Sequence, residues 1–143
     1  MKSAAQILKS KPEQSVETVT PSTSVFDALK RMAEKNIGAL LVMEDAKITG
    51  IFTERDYARK IILMGRSSKE TPVSEIMTFP VMCVRPDQSN EECMALMTDN
   101  RMRHLPVVDN GKLIGLISIG DLVKDIISEQ QFVIDQLKQY ITG

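Results

Sequence analysis

The sequence has little that would mark a secreted, metal-binding or membrane protein. Cysteine occurs twice in 143 residues and histidine once. Cys83 and Cys93 lack the close spacing of metal ligands, and His104 stands alone, so neither a disulfide framework nor a His/Cys zinc site is expected. Long apolar runs are missing as well. ALLVM at 39–43 is far too short to cross a bilayer, and the opening MKSAAQILKSK holds no continuous apolar segment of signal-peptide length. Excess charge of one sign is also absent: eighteen Lys and Arg against nineteen Asp and Glu leave a net charge of −1. Such a balance gives no field to hold a phosphate backbone, which argues against nucleic acid as a partner. These absences leave a single compact chain of ordinary composition, with no membrane span, and a reducing cytoplasm as the expected setting.

What the sequence does have is a repeat. Sliding the chain by 65 positions aligns two halves without a gap from Val19/Val84 to Ile62/Ile127. Pro21 falls on Pro86, Ser24 on Ser89, Met32 on Met97, Leu40 on Leu105, Gly50 on Gly115 and Asp56 on Asp121. A helical stub also recurs, AAQIL at 4–8 against VSEIM at 73–77, once a four-residue insertion around KSKPEQ is allowed for. The joint between copies falls at ETP near residue 71, which divides the chain at 1–70 and 71–143.

Each copy reads as β-α-β-β-α. ETVTP (17–21) and MCVRP (82–86) are strands stopped by proline. Ser24 with Asp27, and Ser89 with Glu92, form capping boxes that open helices, and Gly38 suits the end of the first. ALLVM and LPVVD are buried strands, and the turns EDAK and DNGK carry them through a hairpin into ITGIFT and LIGLIS. About sixty residues bury too little apolar surface to be comfortable alone. Two copies packed about a pseudo-twofold axis would double the core and open clefts between them, a preferred setting for small ligands. The expected fold class is α/β, in its α+β form.

The last strand of each copy runs into GIFTERD (50–56) or GLISIGD (115–121). The plain reading is a helix start: Thr53 and Ser118 cap, and Asp56 and Asp121 reach back as the acidic third residue. A second reading uses the same geometry. Free N–H groups at a strand-to-helix junction suit phosphate, an aspartate there can accept both hydroxyls of a ribose, and the preceding glycine allows close approach. Physical chemistry permits both.

The duplicated unit, IGALLV and RHLPVV in matching places, and the twice-written Gly-apolar-apolar-Ser/Thr-x-x-Asp resemble a tandem pair of cystathionine β-synthase (CBS) domains. This is a Bateman module of the stand-alone type, and the resemblance covers almost the whole chain. It implies a regulatory module binding adenosine-containing ligands, AMP, ADP, ATP, S-adenosylmethionine or NAD, and acting through an unidentified partner protein. The resemblance carries Asp56 and Asp121 over as ribose-binding residues, with Thr53 and Ser118 as the hydroxyls beside them. It places Thr20 and Arg85 along the adenine slot, and Ile37, Gly38, Ala39, Met102, Arg103 and His104 at the entry to the second strand. Arg103 and His104 are expected to serve the phosphates of the Asp56 cleft, with Arg55 and Arg59 adding charge. The Asp121 cleft then faces Gly38-Ala39 and is the roomier. His104 also has an ordinary reading as a satisfied structural histidine, and Arg55 and Arg59 as a solvated helix face.

From Ile119 apolar residues recur at helical spacing for about six turns, through Val133, Leu137 and Ile141. The excess over the first copy, QQFVIDQLKQYI, would expose apolar surface unless it is covered, and a homodimer is the expected cover, with packing beside the AAQIL stub as the alternative. A nucleotide sensor is thus weighed against a ligand-free dimerising scaffold. It is also weighed against a nucleotide-converting enzyme, for which no catalytic residue, nucleophile motif or metal cluster is found.

Overall fold

The computed structural model describes residues 2–12 and 16–142. They form two compact units, one made of Val16–Val81 and the other of the N-terminal segment together with Met82–Gly143. Both are mixed α+β, as expected, but they do not follow the division at residue 70. The reason lies in the helical stubs, and each unit shows it separately.

In the first unit, β1 (Thr18–Val19) lies parallel to β2 (Ala39–Glu44), and β2 pairs antiparallel with β3 (Lys47–Thr53) in the order β1-β2-β3. Helix α2 (Val25–Lys35) covers the sheet. Ser24 caps α2 by accepting from the Asp27 N–H. The helix closes at Asn36, which takes the left-handed conformation (φ 54°) that Asn tolerates better than most residues. Gly38, expected to end this helix, instead leads into β2. Helix α3 (Glu54–Tyr57) continues as a π-helical stretch over Ala58–Ile62 and stops at Gly65, where φ is +66°. The stub VSEIM is a single 3₁₀ turn over Val73–Glu75. Ile76 and Val73 enter the core with Leu40, Val42, Phe52 and Ile61.

In the second unit, β4 (His104–Asp109) and β5 (Lys112–Ser118) form the hairpin, with helix α4 (Asn90–Asn100) and the long α5 (Ile119–Thr142) around it. The segment expected as a strand at 82–86 is reduced to one parallel bridge, Val84 to Val107. Likewise β1 is only two residues long, because Pro21 and Pro86 stop extension almost at once. Helix α1 (Ala4–Ser10) belongs here: Ala4 and Ile7 are buried with Val84, Cys93, Leu105, Val107, Ile117 and Leu122.

The stubs explain two glycines. A Cβ on Gly50 would come within 2.3 Å of the Met77 sulfur, and one on Gly115 within 2.5 Å of a Leu8 methyl. The close approach that the glycine permits is therefore made by the chain's own stub side chain, 73–77 on β3 and α1 on β5. Glu13 and Gln14 of the inserted KSKPEQ lie outside the described residues.

Other details repeat at the 65-residue spacing. Register shifts fall at Val42/Met43 and Val107/Val108. Left-handed caps stand at Asn36 and Arg101. The hairpins turn through Asp45-Ala46 (φ 52° and 64°) and Asn110-Gly111 (φ 49° and 79°). The outer part of α5 is apolar and exposed, with Phe132 64%, Leu137 57% and Ile141 80% accessible. Among the described residues no helix is long and apolar enough to cross a membrane.

Candidate functional site

Each strand-to-helix junction is built the same way. In the first unit β3 delivers Thr53, whose extended backbone (φ −124°, ψ 164°) turns into α3. The Asp56 N–H donates to Thr53 Oγ1 (3.2 Å), and Thr53 N–H donates to Asp56 Oδ2 (3.0 Å), a complete capping box. The ladder pairs Ala39 with Thr53, and Glu54 N–H donates to the Gly38 carbonyl (3.2 Å). So Gly38, Ala39, Thr53 and Asp56 are gathered at one end of the sheet. A cavity of about 360 Å³ opens beside them, lined by Leu29, Met32, Ala33, Asn36, Ile37, Gly38 and Glu54.

Asp56 is 7% exposed and fully engaged. Besides Thr53, its Oδ1 accepts from Thr78 Oγ1 (3.0 Å) and lies 3.2 Å from Lys60 Nζ, which also donates to the Ile76 carbonyl (2.9 Å). Neither Thr78 nor Lys60 was singled out in the sequence. Lys60 sits one helical turn after Asp56, a spacing that could have pointed to it.

The second unit repeats the backbone. Ser118 pairs with His104, Ile119 N–H donates to the Arg103 carbonyl (2.9 Å), and Ser118 and Asp121 exchange capping bonds of 2.8 and 3.2 Å. The cation differs. Lys11 Nζ, from the segment following α1, lies 2.9 Å from Asp121 Oδ2 and donates to the Leu116 carbonyl (2.8 Å). Burial would push the Asp121 carboxyl up, but the Ser118 N–H and Lys11 together hold it below its ordinary 3.8. His104 is pushed below its ordinary 6.5, by burial first, then by Lys11 and last by Arg103, against the raising pull of Asp121. His104, expected to serve Asp56, thus stands near the aspartate of its own repeat.

Thr20 and Arg85 are placed differently within their units. β1 runs parallel to β2 with Val19 beside Val42, so Thr20 is directed toward the far end of β2 from Thr53, where it bonds Ser22 and Thr23. Arg85 follows Val84, which is level with Val107, and its guanidinium pairs with Asp87 (3.1 Å). Neither joins its own repeat's junction. Ile37 and Gly38 line the cavity, Met102 packs against the second core, and Arg55 stands on the first turn of α3.

Comparison with known proteins agrees with this architecture. The CBS domain model matches residues 5–63 and again 73–128. A candidate signal-transduction protein with CBS domains from Burkholderia ambifaria is 62% identical, covers 90% of this chain and 96% of its own, and superposes with a TM-score of 0.87. The mitochondrial CBS domain-containing protein CBSX3 of Arabidopsis thaliana is 45% identical over 129 residues, 87% of this chain, which spans 63% of that relative's length. A CBS-CP12 protein from bloom-forming cyanobacteria, described as hexameric, is 33% identical with a TM-score of 0.75, covering 86% of this chain and 70% of its own. With two matches in tandem and relatives of this similarity, the chain belongs to the CBS domain family, as a pair of CBS repeats.

Proposed function

We propose that this pair of CBS repeats is a non-enzymatic sensor that binds an adenine nucleotide, of AMP or NAD type, with Asp56 and Asp121 as the ribose-accepting carboxylates. ADP, ATP and S-adenosylmethionine belong to the same ligand class. The observation that carries the reading is the duplicated junction: a hydroxyl residue ends a strand and caps the next helix, and a carboxylate on that helix's first turn is fixed by the reciprocal bond. A ribose diol reaching Asp56 would replace Thr78 and Lys60 as its partners, and one reaching Asp121 would compete with Lys11. Ligand binding would then change the contacts of the segments that carry Thr78 and Lys11, and that difference in contacts is what could be passed to a partner protein.

Self-association supports the regulatory reading. The outer α5 offers an apolar strip that a second copy would cover, and the cyanobacterial relative is described as hexameric. We infer a homodimer for this chain, working in the cytoplasm. The scaffold reading draws on the fact that both aspartates already have internal partners.

One measurement separates the two: thermal unfolding with and without AMP, ATP, NAD, NADH and S-adenosylmethionine. A ligand at a hundred times its Kd should stabilise the native state by about 2.7 kcal/mol, roughly 5–15 °C in Tm. Unchanged Tm with every ligand would return both motifs to helix capping.

A further inference from the structure

The Asp121 junction contains a cation that nothing near it in sequence supplies. Lys11 Nζ lies 2.9 Å from Asp121 Oδ2 and donates to the Leu116 carbonyl at 2.8 Å across 105 residues of chain. An ammonium has three N–H donors, so one remains for another acceptor. The carboxylate is also incompletely used. Oδ2 takes Lys11 and the Ser118 N–H, while among the described residues no hydrogen bond reaches Oδ1. Asp56 differs, since both of its oxygens are engaged.

Charge points the same way. Lys11 stands against Asp121, and both lie near His104, which burial, Lys11 and Arg103 hold toward its neutral form. Two permanent cations and one acid thus share the neighbourhood of His104, an imbalance an anion would correct. Around the other junction, Lys60 pairs with Asp56 and Glu54 adds a second acid, its carboxylate 3.5 Å from where a Cβ on Gly38 would stand. Ile119 occupies the position of Glu54 in the second copy, so the second acid of the first junction has no counterpart at that position.

We propose that Lys11, brought in by the N-terminal segment, is the phosphate-contacting residue of the second repeat's ligand site, and that it makes this site select phosphorylated nucleosides over neutral ones. The ligand's class rests on the nucleotide reading above; the anion preference of the Lys11 cluster rests on its own geometry. Losing one charge-assisted contact is expected to weaken binding by about tenfold.

The test uses the full chain and its single histidine, whose imidazole NMR signal reports binding beside Asp121. AMP, adenosine and inorganic pyrophosphate are titrated into wild type, Lys11→Met and Lys11→Arg. The proposal expects AMP to bind Lys11→Met about tenfold more weakly, adenosine to change by less than about threefold, and Lys11→Arg to stay near wild type. Equal losses for AMP and adenosine would overturn it, because Lys11 would then only position Asp121; so would an unchanged AMP affinity. If wild type binds neither nucleoside, the nucleotide reading fails by itself, and pyrophosphate decides the rest. A pyrophosphate-induced His104 shift that is lost in Lys11→Met upholds the cation site, and no shift in wild type removes it.

Discussion

The two repeats solve one electrostatic problem in two ways. Each buries much of an aspartate at a strand-to-helix junction, and each needs a cation beside it. In the first, the cation is local: Lys60 stands one turn along the same helix, 3.2 Å from Asp56. In the second, the residue 65 positions after Lys60 is Asp125, itself an acid. It is 8% exposed and accepts from Asn90 Nδ2 at 2.7 Å, tying α5 to α4. A lysine there would have lost that buried bond, and with the acid in its place Asp121 needs a cation from elsewhere. The cation comes instead from Lys11, on the far side of the intervening repeat in sequence. Copies of one unit can therefore keep a geometry while exchanging the residues that neutralise it.

The largest effects should come from testing whether the stubs are equivalent. Ile7 on α1 and Ile76 after the 3₁₀ turn are each 1% exposed, in the second and first cores respectively. Replacing either with alanine is expected to cost about 2–5 kcal/mol, read from urea unfolding midpoints. A loss under about 1 kcal/mol for Ile7→Ala alone would mean that α1 is a loose appendage, and the comparison would collapse.

A smaller effect concerns the hairpins. Both turn through positive φ, but the first places Ala46 (φ 64°) where the second has Gly111 (φ 79°). A side chain in this conformation costs about 1 kcal/mol, which glycine avoids. Ala46→Gly should therefore stabilise the protein by up to about 1 kcal/mol, despite the added freedom of the unfolded chain. A destabilised variant would show that the unfolded-state cost outweighs the strain.

The smallest signal is also the most local. The imidazole of His104 should titrate below 6.5, and Lys11→Met should move its midpoint upward by removing the second-largest cause of the depression. A folded state that prefers neutral His104 binds fewer protons than the unfolded chain between the lowered value and 6.5. The stability contributed by this group is then complete above pH 6.5 and declines as pH falls through that window. His104→Gln should flatten this part of the stability–pH curve, and an unchanged slope would assign it to other groups.

Much of this was readable from residues alone because duplication writes each local rule twice. Ser24 and Ser89, Thr53 and Ser118, and the two hairpins announce themselves by short-range patterns. Gly38 misled as a helix end because Asn36, two residues earlier, already takes the left-handed cap. The expected strands shortened because proline stops pairing sooner than composition suggests. The stub packing was out of reach for another reason: periodicity shows that AAQIL has an apolar face, not which sheet it covers. Lys11 was hidden twice over. It lies in the inserted stretch that the repeat alignment steps across, and its acceptor on Leu116 is 105 residues away.

Consider finally the order in which the polypeptide leaves the ribosome. Helix α1 precedes residues 16–81 along the polypeptide, whereas β5, Leu116 and Asp121 follow them. Residues 16–81 already contain their own stub and can close around Ile76 while translation continues. Helix α1 has no such option and must wait, its apolar face open, until β5 has emerged. Contacts of this sequence separation form late, after loop closure has been overcome. The segment around Lys11 is thus made before residues 16–81 yet finds its place after them, so the maturity of the Asp121 junction reports that β5 has been completed.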